Sequence, residues 1–98
     1  MVTVDRVQTG VRMERRLVKV LKGLAEYHDL SLGDLLEGIV LHAFERSCPF
    51  DEASVAIIDQ LKRVYGLDLT ARDSHRLISS DEEHHRVDMH TRSLDRDR

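Results

Sequence analysis

Ninety-eight residues with two tyrosines, two phenylalanines and no tryptophan make one domain whose core must be aliphatic. A single cysteine excludes an internal disulfide and points to a reducing compartment, the cytoplasm. No apolar run approaches the ~20 residues of a membrane span, Met-Val-Thr-Val-Asp lacks the basic-then-apolar form of a secretory leader, and the formal charge of −3, taken whole, argues against nucleic acid.

Residues 1–6 read as an arm or as the beginning of a strand. Alternation follows: Val7, Thr9, Val11 and Met13 fall on one side, and Gln8, Gly10 and Arg12 on the other. A period of two predicts a half-buried strand. From Glu14 the period becomes helical. Leu17, Val20, Leu21, Leu24 and Ala25 face one way, with Arg15, Arg16, Lys19, Lys22 and Glu26 outside them. This predicts a first helix over 14–27, with Glu14 in its first turn where a carboxylate suits the helix dipole. Gly23 costs that helix about 1 kcal/mol relative to alanine and is read as marking a close helix–helix approach.

After a break at Tyr27-His28-Asp29-Leu30, Ser31-Leu32-Gly33-Asp34 has the form of a capping box, with Leu30 and Leu35 as its hydrophobic staple. The second helix is expected over 32–46, with Leu36, Ile39, Val40, Ala43 and Phe44 on its apolar side, and Gly38 inviting the same reading as Gly23. Ser47-Cys48-Pro49 ends it, because proline disfavours helix at the residue before it. A third helix follows, with Asp51 as N-cap, Phe50 and Val55 as staple, and Ile57, Ile58, Leu61, Val64 and Tyr65 as its stripe. Gly66 is its natural stop. That stripe is expected to bury against the second helix or a partner subunit. Thr70-Ala71-Arg72-Asp73 repeats the capping-box spacing and predicts a short helix to Ile78. From Ser79 onward only Val87, Met89 and Leu94 interrupt the polar residues, which predicts a disordered charged tail. The expected layout is a unit at 1–47, a helical extension at 48–78 and the tail at 79–98.

A strand–helix–helix unit of this size buries little apolar surface alone, and chains of this class commonly need oligomerisation, a metal or disulfides. A lone strand also leaves its backbone donors and acceptors unpaired. Both arguments predict a homodimer in which residues 8–13 of two chains pair antiparallel about a two-fold axis. Its core would be Val7, Thr9, Val11, Met13, Leu17, Leu21, Leu24, Leu36, Val40 and Phe44.

The order of these elements resembles the ribbon-helix-helix family of bacterial repressors and antitoxins, the Arc/MetJ-like group, over residues 6–46. The resemblance is carried by the alternation ending in Val11-Arg12-Met13, by Leu17…Leu21…Leu24-Ala25-Glu26, and by Ser31-Leu32-Gly33-Asp34-Leu35-Leu36. It implies a mainly helical ribbon-helix-helix fold extended by the third helix, and a dimer that inserts its β-ribbon into the major groove of double-stranded DNA to block transcription. Base reading would fall to Gln8, Gly10 and Arg12, with Arg12 on guanine and Gln8 on adenine. Arg6, Arg15 and Arg16 would meet phosphates, as would the helix start at Ser31, Leu32 and Gly33, whose amides and dipole suit an anion. Charge is distributed accordingly. Residues 1–30 hold six basic against four acidic side chains, an excess of +2, and the other 68 residues carry −5.

Two positions depart from the family pattern. Gly33 stands where a second hydroxyl residue is common, and Gly10 has no side chain to read with. Together with the negative total they favour a rival, a dimeric protein-interaction adaptor of the same fold that does not bind DNA. In either case helix 51–65 and the tail are the expected surface for a toxin or other protein partner. His84, His85 and His90 beside Glu82 and Glu83 lack the spacing of a zinc site, so no metal and no cofactor is expected. His42 reads as a polar-face residue, and Cys48 as a small buried one. No phosphate loop, nucleophile elbow or metalloprotease helix occurs, and no enzyme activity or catalytic residue is expected.

Overall fold

The computed structural model describes residues 1–79 and contains three helices, α1 (Arg15–His28), α2 (Leu32–Phe44) and α3 (Glu52–Tyr65). A compact unit, Met1–Asp68, holds all three, and a second unit begins at Leu69 and carries a single 3-10 turn at Ala71–Asp73. The expected tail, apart from Ser79, lies outside the described residues.

Each helix is delimited by local chemistry. Glu14 precedes α1 as its N-cap instead of occupying its first turn, and its carboxylate accepts from the amides of Arg16 at 2.8 Å and Leu17 at 3.1 Å. At the other end Asp29 adopts the left-handed conformation (φ 59°), and the Leu30 amide donates back to the Ala25 carbonyl at 2.9 Å. That satisfies carbonyls left open by the last turn. The Ser31 hydroxyl caps α2 by accepting from the Asp34 amide at 3.1 Å. Only this half of the expected capping box forms. The Asp34 carboxylate lies near the Arg6 guanidinium, at 3.6 Å. α2 stops at Phe44, two residues short of expectation, where Arg46 turns left-handed (φ 61°) and the Ser47 amide reaches the His42 carbonyl at 2.9 Å. Asp51 caps α3 through the Ser54 amide at 2.8 Å, and Gly66 (φ 67°) ends it. In the second unit the Thr70/Asp73 capping box closes in both directions, but over one turn and not as a helix reaching Ile78.

The core is small. Leu24, Ala25 and Leu35 form its buried centre, and Leu21, Ile39, Phe50, Ile57, Ile58 and Leu61 pack around them. Within the chain α3 rests chiefly on α1, and not on α2 as the sequence reading has it. Gly23 is what allows it. A Cβ there would stand 2.8 Å from Leu61 Cδ2, so only hydrogen fits without a shift. Among the described residues of this chain Gly38 has no such neighbour within 4 Å.

The ribbon-helix-helix fold expected from the sequence is corrected by this architecture: the chain is mainly helical, and the described residues contain no β-strand. Residues 1–14 form neither helix nor strand, and 1–13 are exposed at odd and even positions alike. Alternation alone does not create a strand, because a ladder needs a second backbone to accept and donate. No other described segment of this chain supplies one. Among the described residues no helix is long and apolar enough to cross a membrane.

Candidate functional site

The residues with a DNA-directed reading lie on the N-terminal segment, on α1 and at the start of α2. Gln8, Gly10 and Arg12 are all exposed on the segment preceding α1. Arg6 is engaged within the chain. Its Nε and Nη2 donate to the two carboxylate oxygens of Glu37 at 2.9 and 2.7 Å, with Asp34 behind them at 3.6 Å. Residues 34 and 37 are three apart, hence on one face of α2. The hydrogen bond to Glu37 holds the Arg6 guanidinium more firmly protonated, and the same bond lowers the Glu37 carboxyl below its ordinary range.

Arg16 is committed elsewhere as well. It donates to Glu14 at 3.0 Å, to the Gly66 carbonyl at 2.8 Å and to Asp68 at 3.2 Å, tying the start of α1 to the end of α3. Burial pushes the Glu14 carboxyl upward, but the Arg16 hydrogen bond and the two capped amides outweigh it, and the net direction is down. Arg16 is therefore a structural clasp in this unit, where a phosphate contact is expected from the sequence.

A different basic set stands outward. Arg15, Lys19 and Lys22 are exposed at spacings of four and three, so they share one edge of α1, which runs on to Glu26. Lys19 Nζ lies 5.7 Å from the centre of the Tyr65 ring, within cation–π range. At the start of α2, Ser31 and Gly33 are exposed and Leu32 is half-buried. Their amides belong to the first turn, where N–H groups lack intrahelical partners, and Asp34 places a carboxylate in that same turn.

The expected dimer-core residues divide in two. Leu24 is buried in the chain's own core, Leu21 packs against it, and Leu36 is half-buried. Val7, Thr9, Val11, Met13, Leu17, Val40 and Phe44 are exposed, Phe44 at 78% and Val7 at 83%. Leu41, not singled out from the sequence, joins them at 62%.

Two features escape a reading of the sequence. Ser54 is 3% exposed, and its hydroxyl lies 2.9 Å from His28 Nε2. The Ser54 amide donates to the Asp51 carboxylate at 2.8 Å. Between Ser54 and His28 the hydroxyl donates or accepts according to the imidazole tautomer. The Ser54 amide, followed by its hydroxyl, lowers the Asp51 carboxyl. This polar clasp joins the end of α1 to the start of α3. Beside it, His28, Leu30, Asp34, Leu35, Gly38, Ile39, His42, Pro49 and Phe50 line an open cleft of about 230 Å³. His42 donates from Nδ1 to the Gly38 carbonyl at 2.7 Å. No short motif announces either feature, because each joins residues from separate elements. Cys48 is exposed, against the expectation of a buried thiol. Among the described residues no group of three or more His, Cys, Asp or Glu side chains could hold a metal. His84, His85 and His90 lie outside the described residues.

No protein-family model matches the chain, and no curated protein or solved structure matches it either.

Proposed function

We propose that this chain is a cytoplasmic homodimeric DNA-binding regulator, a repressor or an antitoxin, acting by occupancy of DNA and not by catalysis. The observation that carries the reading is the outward edge of α1, where Arg15, Lys19 and Lys22 stand exposed in a row. Cations at that spacing can follow a phosphate backbone, and neutralising phosphates releases condensed counterions. The exposed apolar residues support the dimer clause. Phe44, Leu41 and Val40 on α2, and Val11 and Val7 on the N-terminal segment, are apolar and exposed, so a second copy can cover them, and two basic edges double a modest positive excess. Gln8 and Arg12 on the N-terminal segment are the residues offered for base contacts.

Binding to random duplex DNA across a salt series tests this. A log–log slope of about −0.9 per neutralised phosphate is expected. Arg15→Ala and Lys22→Ala should weaken binding to every sequence alike and flatten that slope. A folded protein that binds no duplex at low salt would overturn the reading.

A specific observation favours a second reading, the protein-interaction adaptor. Arg6 and Arg16 are held by carboxylates of their own chain, while the apolar end of α2 is open. An absent salt slope together with a dimer in sedimentation would select it.

A further inference from the structure

We infer that Glu37, assisted by Asp34, competes with phosphate for Arg6 and so restrains the DNA affinity of the chain from within; the inference rests on the DNA-binding reading above. A guanidinium offers a planar fork of donors that fits a carboxylate and a phosphate in the same way. In this chain both oxygens of Glu37 fill that fork, at 2.9 and 2.7 Å. Asp34 stands 3.6 Å from Nη2 on the same helical face. Arg6 cannot take a phosphate in this fork without releasing Glu37.

Location makes the competition two-fold. Asp34 belongs to the first turn of α2, whose leading amides would receive a second phosphate. The two carboxylates therefore occupy the cation and place negative charge beside the anion-binding helix end. Release is easy, because the Arg6, Glu37 and Asp34 side chains remain 61%, 48% and 53% exposed. Solvent-exposed pairs are weak, so Glu37 acts as a graded restraint on Arg6 and not as a lock.

The experiment is a double-mutant cycle on the full chain, read as affinity for a random duplex at several salt concentrations. Glu37→Gln should tighten binding by about two- to fivefold per arm and steepen the salt slope by about one phosphate contact per protomer. In the Arg6→Ala background Glu37→Gln should change nothing, since no cation is left to release. Asp34→Asn should act in the same direction by a smaller factor, and it carries the test if Glu37→Gln fails to fold. A gain that persists in the Arg6→Ala background would show only the removal of a negative charge, and would overturn the inference. Wild-type binding with a salt slope that Glu37→Gln leaves unchanged would overturn it while leaving the DNA reading intact. If neither protein binds at low salt, the DNA reading itself falls and takes the inference with it.

Discussion

The seam between α1 and α3 and the outer half of α2 are built to different standards. Along the seam Gly23 admits Leu61 so closely that any side chain at position 23 would make the leucine shift. Ser54 is sealed between Asp51 and His28, and Arg16 closes the far end on Gly66 and Asp68. The outer half of α2 has none of this. Val40, Leu41 and Phe44 are exposed, and Leu35 is the only residue of α2 that is buried. Apolar area yields stabilisation only where it leaves water. The seam therefore holds this unit together, and α2 offers its apolar end outward.

The largest expected effect comes from setting Leu24→Ala against Phe44→Ala. Leu24 is 1% exposed in the core, and its truncation should cost about 2–5 kcal/mol in denaturant unfolding. Phe44→Ala, measured at concentrations that keep the chain monomeric, should stay within about 0.5 kcal/mol of wild type. At higher concentration it should shift sedimentation toward the monomer. Equal losses in dilute protein would erase the contrast between the two regions.

Gly23→Ala probes the seam directly. The added methyl meets the Leu61 side chain, and relief requires Leu61 to move. Overpacking of this kind costs about 1–3 kcal/mol, which alanine's better helix propensity of about 1 kcal/mol offsets in part. A net destabilisation is expected, and pairing with Leu61→Val should recover part of it. A more stable Gly23→Ala single variant would mean that the seam has slack.

Acid should loosen the seam, together with the Arg6–Glu37 tie on α2, whose carboxyl is lowered as well. Asp51 and Glu14 both have folded-state pKa values below their ordinary range. The unfolded chain then binds more protons through that window, so stability is full above the ordinary carboxylate range and falls as pH drops below about 4. A series of melting temperatures against pH should show this decline, and Asp51→Asn should flatten it. An unchanged slope in the variant would place the acid sensitivity elsewhere.

The smallest effect is expected at the end of α2. Arg46 holds a left-handed conformation (φ 61°) that glycine adopts without steric cost. Arg46→Gly should raise stability by about 0.5 kcal/mol and leave self-association untouched.

Much of the local structure is legible in the order of residues. Periodicity places all three helices, Ser31, Asp51 and Gly66 mark ends of theirs, and Thr70 with Asp73 marks the 3-10 turn, because a cap is a contact across three or four residues. Gly23 is legible as a close approach, though not the helix it approaches. The site is less legible. Arg6 and Arg16 look like phosphate ligands in a list of basic residues, yet their partners Glu37 and Asp68 lie 31 and 52 residues away. Ser54 gives no sign in sequence that it will be buried beside His28.

What the sequence determined by itself, then, is helix, cap and stop, since each rests on neighbours a few bonds apart. Tertiary structure alone decided that α3 lies on α1 and that Arg6 and Arg16 spend their charge within the chain. It also decided that the alternation over residues 7–13 forms no strand here. The physical reason is common to all three. A stripe, a guanidinium or an alternating segment specifies what it can pair with, whereas the pairing itself depends on which complementary surface the folded backbone brings within reach.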